Sequence, residues 1–180
     1  MGDDVRTMRI LVVDDSAPHR RLLTALFGRA GHEVVTVGDG VAALAHLEGA
    51  RFDAVVSDVR MPKMDGFQLC RTIRQDARWH RLPFIFYSSI FIGDPAQNFG
   101  RDLGATAYLD AKDIAPAQVA EKLEALVARH VREEYDETLG KLLSDVEFAR
   151  RYHSDVLTSV AVSRTGDWLR DLLDPTLRGE

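Results

Sequence analysis

The sequence predicts an α/β fold in which helices cover both faces of a parallel sheet. Five short apolar runs alternate with segments whose apolar residues recur at helical spacing, and this alternation is typical of parallel strands joined by crossover helices. Turn signals that contain glycine separate the two kinds of segment. The chain has 180 residues, of which 46% are hydrophobic. It is therefore long enough for one domain of ordinary size, with about fifty residues left for an appendage.

The elements follow from these apolar runs and from the turn residues between them. In chain order, the strands are predicted at Ile10–Val13, Val34–Val37, Ala54–Val56, Phe84–Tyr87 and Ala107–Leu109. The helices are predicted at Ala17–Ala30, Val41–Glu48, Gly66–Asp76 and Ala96–Leu103, and a fifth begins at Pro116, a residue favoured in a first turn. Turns are expected at Gly31-His32, Gly38-Asp39-Gly40, Gly49-Ala50 and Gly104. The Gly38-x-Gly40 pair lacks the third glycine of a dinucleotide fingerprint, so we interpret it as a turn only.

The last third of the chain has a helical pattern of its own. Apolar residues continue at helical spacing from Val119 to Val146, which predicts that the fifth helix runs beyond the α/β domain. The stretch 144–147 matches the Ser-x-x-Glu capping box, so a new helix is predicted from Ser144 to about Ser163. After Gly166 one more short amphipathic segment is expected, with its apolar residues at Trp168, Leu169, Leu172 and Leu173. This tail is expected to be folded.

Composition excludes several classes of function. The formal net charge is -5 and the pI is about 5.7, which gives no general attraction to nucleic acid or to an anionic membrane. Cys70 is the one cysteine, so an internal disulfide and a zinc site of several cysteines are excluded, and we expect Cys70 to pack in the core. Residues 1–9 are polar with no long apolar run after them, which predicts neither a signal peptide nor a membrane span. We therefore expect a cytoplasmic protein.

Three aspartates follow predicted strands. Asp14 and Asp15 end the first strand-like run, and Asp58 ends the third. Ligands of open α/β sheets bind beyond the carboxyl ends of the strands, so these carboxylates are expected to converge. Two unit charges 4 Å apart repel by roughly 4 kcal/mol at an effective dielectric constant near 20, and a cation such as Mg²⁺ would offset that cost. The alternative is that Asp15 caps a helix while Asp14 and Asp58 form turns.

The same stretches carry a family resemblance. The run Leu11-Val12-Val13-Asp14-Asp15-Ser16, followed by Asp58-Val59-Arg60-Met61-Pro62-Lys63-Met64-Asp65-Gly66, resembles the receiver domain of two-component response regulators. The resemblance covers Met8 to Arg129, so the predicted division is a receiver domain at 8–129 and a helical extension at 130–180. It implies a doubly wound, five-stranded parallel sheet of flavodoxin-like type with strand order 2-1-3-4-5.

The resemblance also implies a role for individual residues. Asp58 matches the phosphoacceptor, which takes a phosphoryl group from a histidine kinase, a phosphotransfer protein or a small phosphodonor. Asp15 and Asp58 would bind Mg²⁺ through their side chains, Asp14 would act largely through water, and Arg60 would contribute its backbone carbonyl. Ser88 matches the switch hydroxyl that donates a hydrogen bond to the phosphoryl group. The alternative for Ser88 is an ordinary serine at a strand end.

Two features depart from a simple match. Tyr108 matches the aromatic residue that moves inward as the hydroxyl shifts, although a half-buried strand tyrosine is the alternative. The family usually has Lys-Pro three residues after that aromatic residue, whereas this chain has Ala111 there and its lysine one place later, at Lys112. Lys112 reaches the phosphoryl oxygens if the loop bulges by one residue, and is otherwise a solvated surface lysine. The family's cis peptide bond is expected to be absent, because no proline follows.

Three further features are weighed separately. The segment from Ile90 to Asn98 is longer and more apolar than a typical connection, so Ile90, Phe91 and Ile92 form a candidate contact surface, with inward packing as the alternative. His153 lies on a predicted helix but lacks the acidic residue and the proline that follow a histidine-kinase phosphoacceptor, so we set it aside. His19 is interpreted as a helix-surface residue near the acidic site.

The tail and the site together favour a signalling protein that is not itself an enzyme. From Arg129 to Glu180 there are eight Lys or Arg and eleven Asp or Glu, a net charge of -3, and DNA binding is therefore disfavoured. We expect a phosphorylatable receiver whose helical tail forms a homodimer or contacts a partner protein. The rival hypotheses are a pseudo-receiver or scaffold with a vestigial site, the receiver portion of a multi-domain sensor protein, and a phosphatase or hydrolase that uses Asp58.

Overall fold

The computed structural model describes residues 7–89 and 93–155. Five strands alternate with five α-helices over these residues, and a short 3₁₀ turn, Pro116–Gln118, precedes the last helix. The strands are β1 Arg9–Val13, β2 Glu33–Val37, β3 Ala54–Ser57, β4 Phe84–Ser88 and β5 Ala107–Asp110. The helices are α1 Ala17–Arg29, α2 Gly40–Gly49, α3 Gly66–Gln75, α4 Asp94–Asp102 and α5 Val119–Asp155.

The five strands form one parallel sheet in the order β2-β1-β3-β4-β5. β1 lies between β2 and β3 and pairs with both. From β1 the sheet extends in two directions, to β2 on one side and to β3, β4 and β5 on the other. This reversal is the topological switch point of a doubly wound sheet, where ligands bind. The predicted fold class and strand order are confirmed.

Alternation along the strands builds two apolar layers. On β1, Ile10 and Val12 face one layer and Leu11 and Val13 face the other, and all four are fully buried. The first layer packs against α1 and the start of α5, and the second packs against α2 and α3. Cys70 is fully buried in the second layer, so its expected packing role is confirmed, and burial raises the pKa of its thiol to about 11.

Element boundaries agree with the prediction to within one residue at all five strands, with one correction at the fourth helix. α4 begins at Asp94, two residues before its predicted start, because Pro95 occupies the first turn, where its missing N–H costs nothing. Gly93 precedes the helix with φ of 86°, a backbone conformation that favours glycine. Within the described ranges no peptide bond is cis.

The last helix runs further than one domain requires. α5 continues to Asp155, which confirms that the fifth helix overruns the α/β domain. A new helix start at Ser144 was wrong, because Ser144 lies inside α5, where a serine with a glutamate three residues later is also compatible with continuous helix. The predicted segment from Trp168 to Leu173 lies outside the described residues. The chain divides into two units, Met1–Arg132 and Glu133–Glu180. Among the described residues no helix is long and apolar enough to cross a membrane.

Candidate functional site

The acidic residues meet where β1 and β3 end. The register pairs Val13 with Ser57, so the next residue on each strand, Asp14 and Asp58, emerges at the same edge of the sheet. A backbone hydrogen bond of 2.8 Å from the Asp58 N–H to the Val13 carbonyl fixes the two strand ends against each other. The predicted convergence of these carboxylates therefore follows directly from strand pairing.

Asp14 is a buried carboxylate whose two oxygens are both engaged. Oδ1 accepts a 2.7 Å hydrogen bond from the Ser16 N–H, and Oδ2 is bound by Nδ1 of His19. The Asp14 carbonyl accepts a further bond of 2.5 Å from the Arg20 guanidinium. Only 2% of Asp14 is exposed, whereas the neighbouring Asp15 is exposed to solvent. The first aspartate is thus held inside the protein and the second remains open to a ligand.

Asp58 is half-buried, and its surroundings disfavour the charged form. Burial raises the pKa of the Asp58 carboxyl above its ordinary value, and the negative charges of Asp14 and Asp15 raise it further. Hydrogen bonds from the Ser88 side chain and the Val59 N–H oppose this rise. Three carboxylates therefore share one strand edge, and a cation bound there would offset their mutual repulsion.

The loop from Asp58 to Gly66 shapes the site through close backbone packing. The Gly66 N–H donates a 2.8 Å bond to the Val59 carbonyl, and this bond brings the end of the loop back to the residue after Asp58. A Cβ atom at Gly66 would lie 2.2 Å from the Asp58 carbonyl oxygen, so only glycine fits. Asp65 caps α3 by accepting a 2.8 Å bond from the Gln68 N–H. The Asp-Gly pair of the motif is therefore explained by local packing.

The loop that follows β2 contacts the loop from Asp58 to Gly66. Lys63 has φ of 64°, and its ammonium lies 2.6 Å from the Asp39 carboxylate, which also caps α2. A Cβ at Gly40 would lie 2.7 Å from the Met64 side chain, so Gly40 allows the two loops to approach closely. The Gly38-x-Gly40 pair thus forms a turn and a helix start, as predicted.

Ser88 and Tyr108 lie side by side at the ends of β4 and β5. Ser88 is fully buried and pairs with Asp110 across the strands, and its hydroxyl lies close enough to Asp58 and Tyr108 to lower the pKa of both groups. The Tyr108 ring is half-buried, with its centroid 5.3 Å from that of Phe86. Burial raises the pKa of the Tyr108 phenol to about 12, with a further contribution from the charge of Asp58. The structure therefore brings the predicted switch residues next to the predicted phosphoacceptor.

Lys112 lies in the turn after β5, with its backbone held and its side chain exposed. Its N–H donates a 2.8 Å bond to the Asp110 carboxylate. Its ammonium makes no hydrogen bond or ion pair with any residue in the described part of the chain. Arg60, predicted to contribute a backbone carbonyl, follows Asp58 by two residues and is exposed.

Comparison with known proteins decides the family. Residues 10–124 match the family described as "Response regulator receiver domain", which is more than half of the chain. The chain belongs to this family. Among curated relatives, a probable transcriptional regulator, ycf27, of Cyanophora paradoxa is 34% identical over 70% of this chain and 51% of its own length. The chain thus spans about half the length of that relative.

Solved structures agree with the receiver fold. The chemotaxis response regulator CheY4 of Vibrio cholerae is 32% identical, with a TM-score of 0.62 over 67% of this chain and 98% of that one. The receiver domain of sensor histidine kinase PA1611 from Pseudomonas aeruginosa PAO1, described with a magnesium ion in its active-site cleft, is 27% identical, with a TM-score of 0.60 over 68% of this chain and 98% of that one.

The receiver site of this chain contains a residue that sequence reasoning set aside. His19 was interpreted as a helix-surface residue, and this was wrong, because its imidazole binds Asp14 and stacks on Tyr87 with ring centroids 5.4 Å apart. The hydrogen bond to Asp14 raises the pKa of His19, and burial opposes the rise. The available signal was its position three residues after Ser16, which caps α1 and so places the first helical turn over the strand end. Residues 90–92 and the side chain of His153 lie outside the described part of the chain.

The chemistry of the acidic residues fits Mg²⁺. Their donors are hard carboxylate oxygens, and burial, together with the charges of Asp14 and Asp15, already raises the pKa of Asp58. Within the described ranges, no three side chains of His, Cys, Asp or Glu converge closely enough to enclose a metal ion. Mg²⁺ does not require such a cage, because it usually keeps several waters and takes only one or two carboxylates from the protein.

Proposed function

We propose that this chain is a response-regulator receiver that accepts a phosphoryl group on Asp58 from a histidine kinase or a phosphotransfer protein in a Mg²⁺-dependent reaction. The observation that carries the proposal is the environment of Asp58, which combines partial burial, two neighbouring carboxylates and a nearby hydroxyl, that of Ser88. A structural aspartate at a strand end does not need this combination. A nucleophile that must receive a charged group does, because incoming cations and phosphoryl oxygens then find complementary partners.

In the proposed reaction an Asp58 carboxylate oxygen attacks phosphorus in line with the leaving group. The new P–O bond forms as the P–N bond of a phosphohistidine breaks, and the imidazole leaves with the electron pair of that bond. Because such transition states are loose, the protein contributes mainly position and charge complementarity. The Ser88 hydroxyl, which lies near Asp58, would donate to a phosphoryl oxygen once the group is attached.

The residues assigned to the cation divide into direct and indirect ligands. Asp15, which is exposed, and Asp58, which is half-buried, would bind Mg²⁺ through side-chain oxygens, and Arg60 would add its backbone carbonyl. Asp14 would act through water, and this role is supported by the engagement of both its oxygens by Ser16 and His19. When bound, Mg²⁺ supplies charge neutralisation for the carboxylates and for the phosphoryl oxygens.

The switch is assigned to Ser88 and Tyr108. Movement of the Ser88 hydroxyl towards a phosphoryl group would remove its interaction with Tyr108 and so favour a different position of the ring. Phe86 and Gly100 line the Tyr108 ring, and a Cβ at Gly100 would lie 3.1 Å from it. Tyr108 also lines a cavity of about 250 Å³ with Arg101 and Arg129, so a shift of the ring would change the shape of this cavity and offer partner proteins a different surface.

The α5 extension is assigned to protein contacts. Five large apolar side chains on α5 beyond His130 are exposed, with exposed fractions between 41% and 67%: Val131, Tyr135, Leu139, Leu142 and Leu143. An exposed apolar stripe on a helix indicates a contact surface, and a second copy of the chain presents the same stripe. We propose a homodimer through this helix. The Leu139→Glu/Leu142→Glu variant should have the mass of a monomer in light scattering, whereas Thr138→Glu should leave the dimer intact.

Beryllofluoride binding tests the proposed phosphoacceptor. Fluorine NMR of the unmodified chain with Mg²⁺ and beryllofluoride should show a bound species, and Asp58→Asn should abolish it. Asp65→Asn is the matched control in the same loop, since asparagine also caps helices, and it should retain the bound species. A bound species that survives Asp58→Asn would remove Asp58 from this role.

A pseudo-receiver is the second candidate, and the exposed side chain of Lys112 favours it. In that case the fold serves as a scaffold and phosphorylation is absent or very slow. The two functions give opposite results with acetyl phosphate and Mg²⁺. A receiver gains one phosphoryl group in intact-mass spectra and loses it slowly, whereas a pseudo-receiver gains none.

A further inference from the structure

His19 forms a direct hydrogen bond with one carboxylate of the acidic site, that of Asp14. The ring lies on the first turn of α1, only 26% of its side chain is exposed, and Nδ1 contacts Oδ2 of Asp14. An ionised carboxylate can only accept hydrogen bonds, so Nδ1 must carry the proton in this contact. The other Asp14 oxygen already accepts from the Ser16 N–H. His19 therefore completes the set of protein donors on Asp14.

The ring is fixed from a second side. His19 stacks on Tyr87 of β4, with an angle of 28° between the ring planes. Tyr87 is itself buried and immediately precedes Ser88. Because the stack and the hydrogen bond restrain different parts of the ring, the imidazole cannot turn away from Asp14 without losing a contact. Side chains restrained in this way position their partners well.

We propose that His19 is a positioning residue of the acidic site, which holds the Asp14 carboxylate and thereby competes with the bound cation for that carboxylate. The proposal rests on the proposed Mg²⁺-dependent function. A cation near Asp14 withdraws electron density from the oxygen that His19 binds, and the His19 bond reduces the negative charge that Asp14 offers to the cation. Binding free energies are reciprocal, so removal of the His19 donor must strengthen cation binding by as much as the cation weakens the His19 bond.

Two variants separate the hydrogen bond from the stack. His19→Phe keeps an aromatic ring on Tyr87 but removes the donor, whereas His19→Asn removes the ring but places an amide N–H where Nδ1 lies. Calorimetric titration of the full chain with Mg²⁺ at one fixed pH should give a dissociation constant about five- to tenfold lower for His19→Phe, the effect of losing one competing hydrogen bond. The His19→Asn value should stay closer to that of the unmodified protein than to that of His19→Phe.

Several results would overturn the proposal. An unchanged or higher dissociation constant for His19→Phe would show that His19 and Mg²⁺ do not compete for Asp14. An equal change in His19→Phe and His19→Asn would show that the effect comes from packing and not from the hydrogen bond. If His19→Phe does not fold, nitrogen NMR of the unmodified protein decides, because Mg²⁺ must shift the ring resonances of His19, and constant resonances contradict the proposal. An unmodified protein that binds no Mg²⁺ refutes the proposed cation together with this role. Normal Mg²⁺ binding with no effect of His19→Phe refutes the role of His19 alone.

Discussion

Replacement of Gly66 by alanine is the sharpest test of the packing around the phosphoacceptor. A Cβ at this position lies 2.2 Å from the Asp58 carbonyl oxygen and 3.1 Å from the Ser57 hydroxyl, and the first of these atoms belongs to the backbone, which cannot rotate away. Relief of the contact requires a backbone shift of roughly 1 Å in the loop that carries Asp58. Overpacking of this kind costs about 1–3 kcal/mol, and the backbone contact places Gly66→Ala at the upper end of that range.

Gly28→Ala is the matched control, because the chemical change is the same. Gly28 lies inside α1, and a Cβ there meets no atom within 4 Å. Alanine in a helix is favoured over glycine by about 0.5–1 kcal/mol, so this variant should be more stable than the unmodified protein. Urea unfolding followed by circular dichroism measures both free energies of unfolding. The reasoning is refuted if Gly66→Ala is as stable as Gly28→Ala.

The remaining predictions concern the charge of Asp58, the hydroxyl of Ser88 and the thiol of Cys70. The folded-state pKa of Asp58 is raised, so ionisation of Asp58 destabilises the metal-free protein as the pH rises through that pKa. Asp58→Asn should therefore raise the urea midpoint at pH 7 without Mg²⁺. It should leave the midpoint unchanged at a pH well below the ordinary pKa of an aspartate. Ser88→Ala should slow phosphorylation by acetyl phosphate about tenfold, the effect of one lost hydrogen bond to a charged group, and Ser88→Thr should restore the rate; equal rates for all three proteins would contradict the role. Cys70, whose pKa is raised to about 11 by burial, should react with a thiol reagent at pH 8 only after unfolding in urea, and rapid labelling of the folded protein would contradict its burial.

The fold could be predicted because its signals are local. Each strand is a short apolar run, and the residues that follow β1 and β3 are acidic in the sequence itself, so pairing of the two strands brings Asp14 and Asp58 together without further information. The residue types at positions 65 and 66 also have local explanations, since Asp65 caps α3 and Gly66 allows a close approach of the backbone. Periodicity and turn chemistry are sufficient for features of this kind.

The features that the sequence did not predict depend on contacts between distant elements, or on which of two local structures a segment adopts. His19 belongs to the site because the first turn of α1 lies over β1 and next to Tyr87 on β4, and no spacing rule reports a contact between those elements. Ser144 satisfies the capping-box pattern, but the pattern does not state whether the preceding helix has ended. The direction of the Lys112 side chain depends on the path of the turn after β5, which a displaced lysine alone does not define.

The central claim is that Asp58 receives a phosphoryl group, and localisation of that group is its most direct test. The full chain would be incubated with Mg²⁺ and a phosphohistidine donor protein, and its peptides would be analysed by tandem mass spectrometry after borohydride reduction of the acyl phosphate. The modification should lie on Asp58 and require Mg²⁺, and Asp65→Asn should not affect it. A modification located on Asp14 or Asp15, or no modification by any phosphodonor, would contradict it.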